Sequence, residues 1–180
     1  MSDFEYIGDE LELFAEAKVW KAYLGAQIRP YLGKRVLEVR ACIGGTTESI
    51  CRTPGIKSWT CLEPDQSLCQ TIDQKISSGV LPSYCSVTCG TIWDTLDTYD
   101  TLLYIDVLEH IEDDRSELER ALTKLIPFGH LVVLSPAHQY LFGPLDQAVG
   151  HNRRYNRKMM AQLDLFILNI FNPERRSVMF

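Results

Sequence analysis

Short apolar runs alternate along this chain with stretches whose apolar residues recur every three to four positions, a pattern that predicts strands interleaved with helices. Leu13, Ala17, Trp20, Leu24 and Ile28 share one helical face, so the spacing predicts an amphipathic helix ending before Pro30. Val36, Leu37 and Val39 suit a strand covered on both faces, over about 35–39, and a helix is expected from Gly44 to about Cys51. A second strand is expected over Ser58 to Leu62, then a helix that Asp65 caps and that runs to about Ile76. Ser83 to Cys89 alternates as a third strand. Tyr99 to Ile105, apolar except for Asp100 and Thr101, is the fourth.

Glu112, Asp113 and Asp114 put acids where a helix begins, and Leu118, Ala121, Leu122 and Leu125 continue it along one face before Pro127. Gly129 breaks the chain, and His130 to Ser135 is expected as strand five. Strands and helices alternating at this spacing predict an α/β fold with a doubly wound, mostly parallel, Rossmann-like sheet. After Pro136 a long loop leads to a helix near Arg157 to Leu163, and the apolar tail LFILNIF precedes Pro173 as a possible short last strand. No repeat or linker divides the chain, so one domain is expected over 1–180. Its parts are an N-terminal covering helix region (1–33), a core (34–136), and a loop with a shortened C-terminal part (137–180).

Composition narrows the function classes. A net charge of −6 argues against a broad nucleic-acid footprint, and the one dense basic run, His151 to Lys158, reads as a solvated turn. No stretch approaches the ~20 apolar residues of a membrane span, and the acidic N-terminus lacks a secretory pattern, so a cytoplasmic location is expected. The six cysteines (Cys42, Cys51, Cys61, Cys69, Cys85, Cys89) show no C-x-x-C pair or metal-ligand spacing. They are expected to be thiols, most of them in the core, and no metal site is expected.

The candidate chemistry gathers at the turns after strands one, two and four, because open α/β sheets bind ligands outside the carboxyl ends of their strands, near the point where strand order reverses. The first turn, RVLEVRACIGG, runs from a strand into a helix beginning near Gly44. Glu63 ends strand two, 23 residues beyond Arg40, where a carboxylate can accept from both hydroxyls of a ribose; the plainer reading is a surface acid before Pro64. Glu38, inside the end of strand one, would carry a heavy burial cost if unpaired, and can instead hold the turn by accepting backbone N–H groups. Asp106 closes strand four, with Val107, Glu109 and His110 within the next turn.

These segments together resemble the class I S-adenosylmethionine-dependent methyltransferases over about Phe14 to Met159. LEVRACIGG resembles that family's first motif, E-x-G-x-G-x-G, CLEPD its second-strand acidic end, and YIDVLEHIEDD its fourth-strand segment. HLVVLSPAHQYLFGPLDQAVGHNRRYNRK resembles one subgroup of small methyltransferases of loosely defined substrate. The resemblance implies S-adenosyl-L-methionine as cofactor and a small-molecule acceptor. It implies cofactor contacts from Glu38, Arg40, Cys42, Gly44, Glu63, Pro64, Asp106 and Val107, with the adenine against Gly90, Thr91 and Ile92. Asp106 and His110 would frame the donor and acceptor, His110 as a general base or, more readily, as a group shaping the pocket. Glu109, His151, Arg153, Arg154 and Tyr155 fall on the substrate side, where the arginines and tyrosine would grip an anion or simply begin a surface helix.

Two departures from the family pattern stand out. Arg40 and Cys42 occupy turn positions where glycine permits positive φ, and Arg40 brings positive charge toward a sulfonium. Only 22 residues follow Lys158, too few for the helix and two strands that complete the usual seven-stranded sheet. Strand five is then expected as an exposed edge available for homo-oligomerisation. Three readings stay open: a methyltransferase, a catalytically degenerate binding or scaffold protein of the same fold, and an NAD(P)-binding oxidoreductase using the acid beyond the turn.

Overall fold

A computed structural model describes residues 17–170 and 176–179, with side chains as far as residue 163. Six parallel strands form one sheet in the order β3-β2-β1-β4-β5-β6. They are β1 (Arg35–Val39), β2 (Ser58–Glu63), β3 (Cys85–Cys89), β4 (Tyr99–Ile105), β5 (Leu125–Leu134) and β6 (Arg176–Met179). The order reverses between β1 and β4, which defines the crevice where ligands bind in such sheets. The helices are α1 (Lys18–Ile28), α2 (Gly45–Ile50), α3 (Gln66–Ser77), α4 (Asp114–Leu122), α5 (Pro144–Ala148) and α6 (Arg157–Ile170).

Strand alternation splits the core into two layers. Leu37, Val39, Leu102, Tyr104, Leu131 and Val133 pack on one face with Leu118 and Leu122 of α4. Val36, Leu103 and Val132 pack on the other with Leu24 and Ile28 of α1, Trp59 and Ile72. Both faces are covered, which is why β1 and β4 read as unbroken apolar runs. On α1 only the later part of the expected face is buried: Leu24 and Ile28 are covered while Trp20 stays exposed, and Leu13 lies outside the described residues. Asp65 caps α3 by accepting from the Ser67 and Leu68 amides at 2.7 and 3.2 Å, and Asp113 caps α4 through the Ser116 amide at 3.1 Å.

Four expectations need correction. Leu125 belongs to β5 rather than to the helix, because it pairs with Tyr99 before the ladder breaks and resumes at Thr101 with His130. At that break Phe128 adopts φ +61°, and a Cβ on Gly129 would stand 2.8 Å from the Asp100 carbonyl oxygen, so the backbones meet only because residue 129 is glycine. The LFILNIF run continues α6 as far as Ile170 instead of forming a strand, since no glycine or proline interrupts it before Pro173. The last strand is RSVM, parallel to β5 from His130 to Val133, so β5 is not an open edge and the oligomerisation argument built on it falls. Finally, Cys69 and Cys89 form a disulfide with their Cα atoms 6.0 Å apart, because α3 turns back over the end of β3; they are not thiols.

Among the described residues six strands stand where the resemblance implies seven, and no helix is long and apolar enough to cross a membrane.

Candidate functional site

The turn after β1 is built on positive φ. Arg40 and Cys42 both lie at φ +52° and Gly44, the N-cap of α2, at +73°. Side chains in that region cost about 1–3 kcal/mol each, so something must hold them there. Glu63 supplies part of the restraint: Oε2 accepts from the Cys42 amide at 2.9 Å, and Oε1 accepts from the Asp65 amide at 3.0 Å. The Ala41 amide also donates to the Leu62 carbonyl at 3.2 Å, carrying the β1–β2 pairing one residue into the turn. Burial raises the Glu63 carboxyl, and the two amides and Arg40 pull it back. The Cys42 thiol is pushed up to about 12, first by burial and then by Glu63 and Glu38, so it is not a thiolate.

Glu38 is nearly inaccessible, and one oxygen takes both the Thr47 hydroxyl and, at 3.0 Å, the Trp59 indole N–H. The side chains of Thr47 and Trp59 carry most of its hydrogen bonding, and the Thr47 backbone adds to it. Burial raises its carboxyl to about 7, against the pull of Thr47 and Trp59.

Beyond β3 the backbone passes Gly90, Thr91 and Ile92, with the Gly90 amide on the Glu63 carbonyl at 2.9 Å. Thr91 lies outside, Ile92 is fully buried, and Asp94 accepts from the Thr91 amide and hydroxyl at 2.8 and 2.9 Å. Sequence reasoning passed over Asp94; an acid three residues past a threonine at a strand end is the signal that would have found it.

On the other side of the switch point, Asp106 leaves β4 at φ +54° and remains exposed at the mouth of the crevice. Protein crowding still raises its carboxyl to about 6, with His151 drawing it down. Glu109 follows, completely buried, in a 3-10 turn over Leu108–His110. Ser135, just past β5, donates to its Oε2 at 2.9 Å, whereas Oε1 has no hydrogen-bond partner among the described residues. Burial raises this carboxyl to about 7.

The GHNRRY segment closes over that turn. The Asn152 amide donates to the Glu109 carbonyl at 2.7 Å, and the His110 and His151 rings meet edge to face at 4.6 Å. The segment is anchored from within: Asp146, almost fully buried, contacts His151 Nδ1 at 2.9 Å and accepts from Arg154 Nε at 2.7 Å. Arg154, followed by His151 and the Gly143 amide, holds Asp146 well below the usual carboxylate range. Arg153 pairs with Asp114 at 2.7 Å, and the Tyr155 hydroxyl donates to the same carboxylate at 2.7 Å. The two guanidinium groups and the phenol thus join the segment to α4 and α5. Asp146 was not legible as the partner of Arg154 and His151, because the short α5 that carries it has no periodic spacing to them.

Glu38, Glu63, Asp106, Glu109 and His110 accordingly lie at the carboxyl ends of β1, β2 and β4, the three strands that flank the reversal of strand order, and His151 reaches the same end from beyond β5. Arg40 bridges the two sides electrostatically, lowering the carboxyls of Glu63, Glu109 and Glu117.

No protein-family model matches the chain, and no curated protein matches it in sequence. Solved structures do share its fold. A putative sarcosine dimethylglycine methyltransferase from Galdieria sulphuraria is 16% identical, with a TM-score of 0.62 over 81% of this chain and 56% of that one. The N-terminal domain of EvdMO1 with SAH bound is 15% identical, with a TM-score of 0.60 over 91% and 79%. The [4+2]-cyclase SpnF is 14% identical, with a TM-score of 0.64 over 79% and 54%. The chain spans little more than half the length of the first and third of these proteins. The fold is the class I S-adenosylmethionine-dependent methyltransferase fold, and the cyclase is a reminder that a fold does not set the reaction.

Proposed function

We propose that the chain binds S-adenosyl-L-methionine and transfers its methyl group to a small-molecule acceptor. The observation that carries this reading is the placement of Glu63. A carboxylate offers about four acceptor positions, and two are taken by the Cys42 and Asp65 amides, which leaves two for a vicinal diol such as the ribose of an adenosyl group. The same residue that fixes the turn thus keeps two acceptor positions for such a diol, although only 4% of it is exposed. The fold's neighbours support the choice of cofactor, one of them holding SAH.

When bound, the cofactor supplies an electrophilic methyl group, and the chain's own part is to orient and to exclude water. The Gly90 to Ile92 backbone supports the adenine, with Asp94 fixing Thr91 in place. Pro64 and Val107 flank the crevice, and Gly44 lets the turn pass close to the ligand. Asp106 stands at the mouth with a carboxyl near 6, mostly ionised at neutral pH and suited to steer a cationic or hydroxyl-bearing acceptor. His110 shapes the wall beside it.

A second reading has an observation in its favour: two side chains at positive φ in one turn fit a site relaxed from its original role, so a degenerate binding protein of the same fold is the alternative. Calorimetry tests the cofactor, and turnover of S-adenosyl-L-methionine separates the enzyme from the degenerate protein. Micromolar binding of S-adenosylhomocysteine without NADH binding supports the proposal. Absence of binding at millimolar ligand by a folded protein ends it, and NADH binding in its place returns the oxidoreductase reading.

A further inference from the structure

Glu109, His110 and His151 bring one ligand atom each into a group whose members all lie within 4.8 Å of one another. Bonds of about 2.0–2.2 Å to a first-row ion set such atoms roughly 3–4 Å apart, so a small inward rotation closes the group around an ion. Three independent features favour that occupant. Glu109 is wholly inaccessible, yet among the described residues one of its oxygens has no hydrogen-bond partner, which is uncommon for a polar group at that depth. His151 sets Nδ1 against the buried carboxylate of Asp146 at 2.9 Å, which leaves Nε2 as the ring nitrogen to meet a ligand. A carboxylate behind an imidazole is the usual means of orienting a metal-binding histidine. Third, the Asn152 amide on the Glu109 carbonyl at 2.7 Å ties the two contributing segments together, so the group exists before any ligand arrives.

We propose that Glu109, His110 and His151 bind one divalent transition-metal ion on the β4–β5 side of the crevice, with Asp146 positioning His151. Two imidazoles and one carboxylate suit iron, cobalt, nickel or zinc, whereas magnesium and calcium prefer oxygen ligands throughout. Three protein ligands leave coordination positions open for water or an oxygen-bearing molecule near Asp106. The site does not depend on the methyl-transfer reading.

The test uses the full chain, stripped with chelator and titrated with cobalt(II) by calorimetry and visible absorption. One saturable site with d–d bands is expected, uncompeted by millimolar magnesium. His110→Ala and His151→Ala should each weaken it at least about 100-fold, and Asp146→Asn by about 10–100-fold as the second-sphere effect predicts. If a variant fails to fold, imidazole 15N spectra of the unaltered protein decide: of the four histidines, His110 and His151 alone should broaden on adding cobalt(II). Absence of saturable binding, affinity indifferent to His151→Ala, or broadening at His130 or His138 overturns the proposal.

Discussion

The two sides of the crevice spend their acids differently. Around β1 and β2 the carboxylates are engaged with the protein: Glu38 with Thr47 and Trp59, Glu63 with two backbone amides, and the adjoining turn tethered by Cys69–Cys89. Around β4 and β5, Asp106 has no side-chain hydrogen bond among the described residues, and Glu109 leaves one oxygen unmatched. The first side holds a conformation; the second holds unsatisfied acceptors in place. Binding of a constant ligand part suits the former and reactivity or ion binding the latter.

The largest expected effect breaks the first side. Glu63→Ala removes charge-assisted hydrogen bonds worth ~1.5–3 kcal/mol each, so affinity for S-adenosylhomocysteine should fall about 100-fold and thermal stability with it, while Glu109→Ala leaves that affinity within roughly threefold. Equal losses in calorimetry from both variants would erase the distinction. Next, the disulfide closes a loop with a sequence separation of 20, for which chain entropy gives about 3 kcal/mol, so Cys69→Ser or added reductant should lower stability to urea by that order. A variant as stable as the parent would show the tether to be idle.

Smaller in effect, Arg40→Gly combined with Cys42→Gly relieves two side chains at positive φ and should tighten S-adenosylhomocysteine binding about tenfold, which is ~1.4 kcal/mol. Unchanged affinity in a titration of that double variant would sink the steric argument. The smallest effect is a pH dependence. Burial lifts Glu38 from 4.5 to about 7, so its contribution to stability is full below about 4.5 and is lost as pH rises through about 7. Glu38→Gln should therefore gain on the parent protein in urea unfolding as pH climbs across that window, and a constant difference would mean that Glu38 does not titrate there.

What the sequence made legible follows the range of the interactions. β1 and β4 stand where their apolar runs put them, and Asp65 caps α3, because each depends on neighbours a few residues away. The start of β5 was hidden, since Pro127 and Gly129 read as a break while the strand resumes beyond it. LFILNIF was misread because a short apolar run has no period that tells strand from helix. Glu38 lies within β1 and Glu63 ends β2, as the apolar runs before them predict. The meeting of Glu109 with His151, and the service of Asp146 behind it, depend on a long loop folding back, which no local pattern encodes. Arg40 was read by its positive φ and its charge, while the acids whose carboxyls it lowers are distant in the chain.

The Trp59–Glu38 hydrogen bond gives the protein an optical window onto its own first turn. Trp59 is fully enclosed, whereas Trp20 and Trp93 are 44% and 56% exposed, so the blue-shifted part of the indole emission belongs to Trp59. Because its N–H rests on a carboxylate of β1 only two residues before Arg40, a rearrangement of that loop should register as a change in colour without a label being attached.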